Sequence, residues 1–144
     1  MNGTMAREIA AQADILPALV HELMAKAAAV PAPSGRVLAG GCGDSAFAPA
    51  ALAGVFADHG LELLPRTAME LASHTRLRAD DVVVLISISG GTRRTVAAAE
   101  AARAAGAAVV AVTCDAASPL AALSQRPLVL PYRPLSRRTP HTLD

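Results

Sequence analysis

The chain has 144 residues, 53% of them hydrophobic and 17% charged, with a formal net charge of +1, a length and balance that suit one domain with a real core. The near-zero charge argues against a nonspecific polyanion binder, and an aromatic content of 2% leaves no stacking platform for nucleic-acid bases. Cys42 and Cys114, far apart in apolar surroundings, suggest neither a disulfide framework nor a zinc site, no cofactor is expected, and no apolar run reaches the ~20 residues that span a bilayer.

Residues 4–30 read as a helix. Ile9, Leu16, Leu19, Val20, Leu23 and Met24 recur at helical spacing, and Pro17 marks a kink or a division into two helices. Arg7, Glu8 and Asp14 interrupt any charged-then-apolar leader pattern, so a cytoplasmic protein is expected. Pro31, Pro33, Ser34 and Gly35 form a breaker segment. Residues 36–39 read as a strand, 40–45 as a glycine-rich turn, and 46–59 as a helix closed by Gly60. A strand over 61–64 stops at Pro65, and 67–74 reads as a short helix. Asp80 and Asp81 precede an apolar strand over 82–87. A helix runs from Thr92 to Gly106, followed by a strand over 107–113. Ser118 and Pro119 fit the N-cap and first position of another short helix. Residues 127–131 read as a last strand, at an edge because of its prolines. The tail 132–144 is basic and weakly patterned.

Alternating helices and continuously apolar strands predict an α/β fold, a parallel sheet covered on both faces. Ligands of such sheets bind beyond the C-terminal strand ends, where strand order reverses. The turns 40–45 and 87–92 both follow strands and are the expected walls of one site. In the second turn, Ser87-Ile88-Ser89-Gly90-Gly91-Thr92 lies between a strand and a helix. That order gathers hydroxyls, backbone N–H groups and the positive end of a helix dipole, which suits a phosphate. Arg93 and Arg94 fall in the first helical turn, where a cation opposes the dipole. A bound anion would remove that conflict; the alternative is that both side chains extend into solvent.

The two turns resemble those of the sugar isomerase (SIS) domain, and most closely the isomerase half of glucosamine-6-phosphate synthase and related sugar-phosphate isomerases and deglycases. Met5-Ala6-Arg7-Glu8-Ile9-Ala10-Ala11-Gln12 is similar to that family's leading Met-x-x-Glu-Ile-x-x-Gln segment. Gly41-Cys42-Gly43-Asp44-Ser45 resembles its Cys-Gly-Thr-Ser loop, and Ala68-Met69-Glu70-Leu71 its Ala-Ser-Glu-Phe stretch. Ser87 to Thr95 resembles its Ser-Gln-Ser-Gly-Glu-Thr-x-x-Thr phosphate loop, and the similarity continues through residues 107–118. The resemblance implies a three-layer sandwich with a five-stranded parallel sheet of flavodoxin-like order. It implies that Ser45, Ser87, Ser89 and Thr92, with Gly43 and Gly90 shaping the loops, contact a sugar phosphate. Asp44 stands where the family has Thr, Ile88 where it has Gln, and Gly91 where it has Glu.

Family enzymes carry two such domains and draw their acid–base groups largely from the second domain, a C-terminal tail or a partner subunit. Residues 1–144 read as one SIS-like domain, with an N-terminal helical segment over 1–33 and a loose tail over 132–144. The chain is a single-domain relative or the first half of a longer protein, paired with a second copy or a second SIS domain. Aldose–ketose isomerisation needs a base, commonly a carboxylate. Glu70 is the candidate, with His74 four residues on; a surface carboxylate and a solvated histidine are the plainer reading. Glu100, His21 and His59 read as helix-surface residues, and His141 carries no assignable role. Cys42 is read as a packing residue rather than a nucleophile. The expected function is sugar-phosphate or amino-sugar-phosphate binding, as part of an isomerase, aminotransferase or deglycase. The alternative is a noncatalytic sensing module.

Overall fold

A computed structural model describes residues 3–27 and 33–132. Its elements in chain order are α1 (Thr4–Ala27), β1 (Val37–Gly41), α2 (Asp44–Asp58), β2 (Leu63–Thr67), α3 (Ala68–Ser73), β3 (Val82–Ile86), α4 (Arg93–Ala104), β4 (Ala108–Thr113), α5 (Pro119–Leu123) and β5 (Leu128–Val129). The five strands form one parallel sheet in the order β2-β1-β3-β4-β5, the flavodoxin-like order. β1 leads leftward to β2, whereas β3 and β4 lead rightward. Right-handed crossovers therefore place α2 on one face and α3, α4 and α5 on the other. The first reversal point lies between β1 and β3, whose last residues Gly41 and Ile86 are paired.

Small side chains build the core. Ala98, Ala99 and Ala102 on α4 are wholly buried against Val83, Leu85, Val109 and Ala111 of the central strands, with Leu71 and Leu120 closing the sides. Thr95, Ala98, Ala99 and Ala102 lie at i, i+3, i+4 and i+7, one stripe of a helix facing the sheet. Alanine on that stripe lets helix and sheet approach closely, so the aromatic-poor composition still packs.

Several boundaries differ from the sequence expectation. One continuous helix runs through Pro17 rather than two; a proline removes only one backbone donor, and the flanking turns continue the helix. Pro65 lies inside β2 rather than ending it, opposite Ala39. β2 is an edge strand, and an edge tolerates a residue without an N–H. β1 extends to Gly41, so the first turn contracts to Cys42 and Gly43. β5 is only two residues long. The expected helix end over 28–30, Pro31, and the tail 133–144 with His141 lie outside the described residues. Tyr132, assigned to the tail, is buried.

At the N-terminal ends of the strands, Asp81 is 1% exposed and grips Arg36 through two bonds, Nε to Oδ1 at 2.9 Å and Nη2 to Oδ2 at 2.7 Å. The Arg78 backbone N–H also donates to Oδ2, at 2.8 Å. The Arg36 hydrogen bond holds the Asp81 carboxyl below the usual carboxylate range despite its burial. This ion pair ties β1 to β3 at the end of the sheet opposite the reversal-point loops. Among the described residues no helix is long and apolar enough to cross a membrane.

Candidate functional site

Beyond the C-terminal ends of β1 and β3, a cavity of about 160 Å³ is lined by Cys42, Ser45, Ile86, Ser87, Ile88, Ser89 and Thr92. Four hydroxyls expected from sequence, those of Ser45, Ser87, Ser89 and Thr92, thus meet in one space. Ser45 is only 6% exposed, and its hydroxyl has no hydrogen-bond partner among the described residues. The cavity reaches that hydroxyl, which is free to bond a polar occupant of the space. Ser87 Oγ and Thr92 Oγ1 lie 3.2 Å apart, and Ser89 Oγ accepts from the Gly91 N–H at 3.3 Å.

Two helix N-termini open onto this cavity, and neither has a side-chain cap. Gly43 precedes α2 and can offer none. Thr92 precedes α4 but turns its hydroxyl to Ser87 instead. By contrast, Thr67 caps α3 and Ser118 caps α5 through their hydroxyls. Of α2, α3, α4 and α5, the two without a side-chain cap are the two that border the cavity, so their first N–H groups remain available to an anion. The first turn of α4 holds no acidic residue and carries Arg93 and Arg94, both exposed. Arg94 Nη1 reaches Met69 Sδ on α3 at 3.5 Å.

The second loop is fixed before any ligand arrives. The Gly90 N–H donates to the Ser87 carbonyl at 3.0 Å and closes a turn. The Ile88 carbonyl accepts from the Cys114 N–H at 3.0 Å and from Thr113 Oγ1 at 3.2 Å. The Gly90 carbonyl accepts from the Leu120 N–H at 3.0 Å. Gly90 has a φ of +59°, and a Cβ there would lie 2.0 Å from Ser118 Oγ. Only glycine allows both that backbone and that approach. Gly43 shares the same φ of +59° with open space around it, so its requirement is conformational alone.

The SIS domain family model matches residues 32–140. The chain belongs to the SIS-domain family. No match is found among curated proteins. Among solved structures, the chain is similar to a Bacillus subtilis protein provisionally described as a phosphosugar isomerase, at 28% identity over 78% of this chain and 36% of that one, with a TM-score of 0.65. It shares its fold with glucosamine-6-phosphate deaminase from Thermotoga maritima, at 22% identity over 93% of this chain and 42% of that one, with a TM-score of 0.78. A similar protein from Silicibacter pomeroyi, also provisionally a phosphosugar isomerase, is 26% identical over 88% of this chain and 41% of that one, with a TM-score of 0.69. The chain thus spans well under half the length of each of these three proteins.

In this SIS domain Glu70 is committed to the fold. Its Oε2 accepts from the Thr67 N–H at 2.7 Å and from Thr67 Oγ1 at 2.8 Å, while the Glu70 N–H donates back to Thr67 Oγ1 at 3.2 Å. This is a capping box. The backbone bond from Thr67 first, and its hydroxyl second, hold the Glu70 carboxyl below its ordinary range. A carboxylate so stabilised is a weaker base. His74 stands at the C-cap of the same helix. The Thr67-x-x-Glu70 spacing is the sequence signal of this box.

Three lining residues lie outside the phosphate contacts expected from sequence. Ile88 is 6% exposed and Ile86 is half-buried, so apolar walls replace a polar contact at the position where the family has Gln. Cys42 is half-buried in the wall, and the wholly buried Thr95 donates its hydroxyl to Cys42 Sγ at 3.6 Å. Asp44, in the first turn of α2 beside Ser45, is exposed.

Proposed function

We propose that the cavity binds the phosphate of a phosphorylated sugar or amino sugar, through Ser45, Ser87, Ser89, Thr92 and the N-termini of α2 and α4. The observation that carries this reading is the convergence of the Ser45, Ser87, Ser89 and Thr92 hydroxyls on one cavity between two helix N-termini that have no side-chain cap. Each charge-assisted hydrogen bond to a phosphate contributes about 1.5–3 kcal/mol. The sugar chain would extend outward past Ser89 and the exposed Gly91.

The reaction class we assign is that of sugar-phosphate isomerases, aminotransferases and deglycases, acting in the cytoplasm, with the acid–base groups completed by a second domain or subunit. None of the seven lining residues is a carboxylate or an imidazole, and Glu70 would have to leave two hydrogen bonds to serve as a base. The same facts favour the second reading, a noncatalytic sugar-phosphate sensor. Exchange of the C2 proton of glucosamine 6-phosphate or fructose 6-phosphate for deuterium, followed by NMR, tests whether the chain catalyses on its own. Binding with slow exchange supports a half-site or sensor. Fast exchange by the chain alone that disappears in Glu70→Gln makes Glu70 the base.

The partner we propose is a second copy of the chain. Ile9, Leu16, Val20 and Met24 on α1, and Phe47, Leu52 and Val55 on α2, are all more than 40% exposed. Exposed apolar faces of that kind on two helices mark candidate interaction surfaces.

A further inference from the structure

We propose that Cys42 is a modification site for an anionic, low-molecular-weight disulfide, and that forming the mixed disulfide and binding a sugar phosphate exclude one another. The second half of this claim rests on the cavity being the phosphate site.

Cys42 follows β1 and sits one residue before the N-cap–α2 junction, half-buried in the cavity wall. Behind it, the wholly buried Thr95 donates its hydroxyl to Sγ at 3.6 Å and fixes where the sulfur points. Beside it, Ser45, 6% exposed and with no side-chain hydrogen bond to a described residue, presents its hydroxyl to the same space and can bond an anionic group there independently of the thiol. The N-termini of α2 and α4 favour negative charge there. A disulfide that carries a carboxylate can seat that group where a phosphate would lie and present a sulfur to Cys42.

The exchange balances without any other reagent. Cys42 Sγ bonds one sulfur of the disulfide, the S–S bond breaks, and the second half departs as a thiol with the proton that Cys42 gives up. Cys42 is oxidised and the departing half reduced. The attached anionic group then fills a cavity of about 160 Å³, leaving no room for a sugar phosphate. A reducing thiol reverses the step. Cys114 provides the internal comparison, because it is also a half-buried thiol outside any disulfide but does not line the cavity.

The test reacts the full chain with dithiobis(nitrobenzoate), which is anionic, and with the neutral dithiodipyridine, in the native sequence and in Cys42→Ser and Cys114→Ser. We expect a fast phase with the anionic reagent that Cys114→Ser keeps and Cys42→Ser loses. Inorganic phosphate at about ten times its dissociation constant should slow that phase roughly tenfold. The modified chain should lose glucosamine 6-phosphate binding and regain it on reduction. The proposal is overturned if Cys114 reacts as fast as Cys42, or if the neutral reagent is as selective as the anionic one. It is also overturned if the unmodified chain binds glucosamine 6-phosphate yet phosphate leaves the Cys42 rate unchanged. An unmodified chain that binds no sugar phosphate defeats the phosphate reading itself and the exclusion with it, while the Cys42 rates still decide the modification site.

Discussion

Ser87 Oγ and Thr92 Oγ1 face each other at 3.2 Å across the loop that joins β3 to α4. Thr92 occupies the N-cap of α4, where a hydroxyl ordinarily satisfies a backbone N–H of the first turn. Here it bonds another hydroxyl instead. The loop therefore keeps two hydroxyls and the helix N–H groups facing one cavity, poised for an anion rather than satisfied internally.

Thr92→Val removes one of those hydroxyls without changing the shape of the side chain. It should weaken sugar-phosphate binding roughly tenfold, the value of one charge-assisted hydrogen bond. Because the Thr92 hydroxyl does not cap α4, thermal stability should be almost unchanged. A large fall in melting temperature with unchanged affinity would show that the hydroxyl serves the fold.

Gly90→Ala should damage both stability and binding. The added methyl group would lie 2.0 Å from Ser118 Oγ and 2.8 Å from Thr113 Oγ1, at a φ of +59°. The cost exceeds about 1 kcal/mol. Thermal denaturation should show a drop of at least about 3 °C, whereas Gly91→Ala, with nothing closer than 3.9 Å, should be tolerated in stability.

The parallel sheet and the hydroxyl loop are legible in the sequence for a physical reason, whereas the strand order follows only from the family resemblance. Buried parallel strands such as Val82–Ile86 are continuously apolar, and a strand-to-helix turn needs glycine. The misplaced boundaries share a cause too. Pro65 was read as a strand terminator because the sequence does not reveal that β2 lies at an edge. Glu70 is a candidate base from sequence because the Thr-x-x-Glu spacing permits both a free surface carboxylate and the local capping box that the structure forms. Asp81 was seen only as a residue before a strand; its partner Arg36 lies 45 positions away.

Asp81→Asn should make stability less dependent on acid. The folded-state carboxyl of Asp81 is held below its ordinary value, chiefly by Arg36. Its contribution is therefore complete above the unfolded value of about 4 and is lost as pH falls through the lower folded value. Denaturation followed from pH 7 to pH 3 should show the variant less stable at pH 7 and the gap narrowing in acid. Parallel profiles would contradict the assignment.

Self-association should depend on the outer faces of α1 and α2. Light scattering at micromolar concentration should report a dimer, and Met24→Glu with Phe47→Glu should give a folded monomer, since both side chains are about 70% exposed. A native chain that stays monomeric would contradict the second-copy partner.

The central claim is that the cavity between α2 and α4 is a phosphate site. Calorimetric titration of the native chain and of Ser45→Ala, with glucosamine 6-phosphate and with unphosphorylated glucosamine, tests it most directly. The account predicts saturable binding of the phosphorylated sugar alone, weakened roughly tenfold in Ser45→Ala. Equal affinity for the two sugars, or binding untouched by Ser45→Ala, would contradict it.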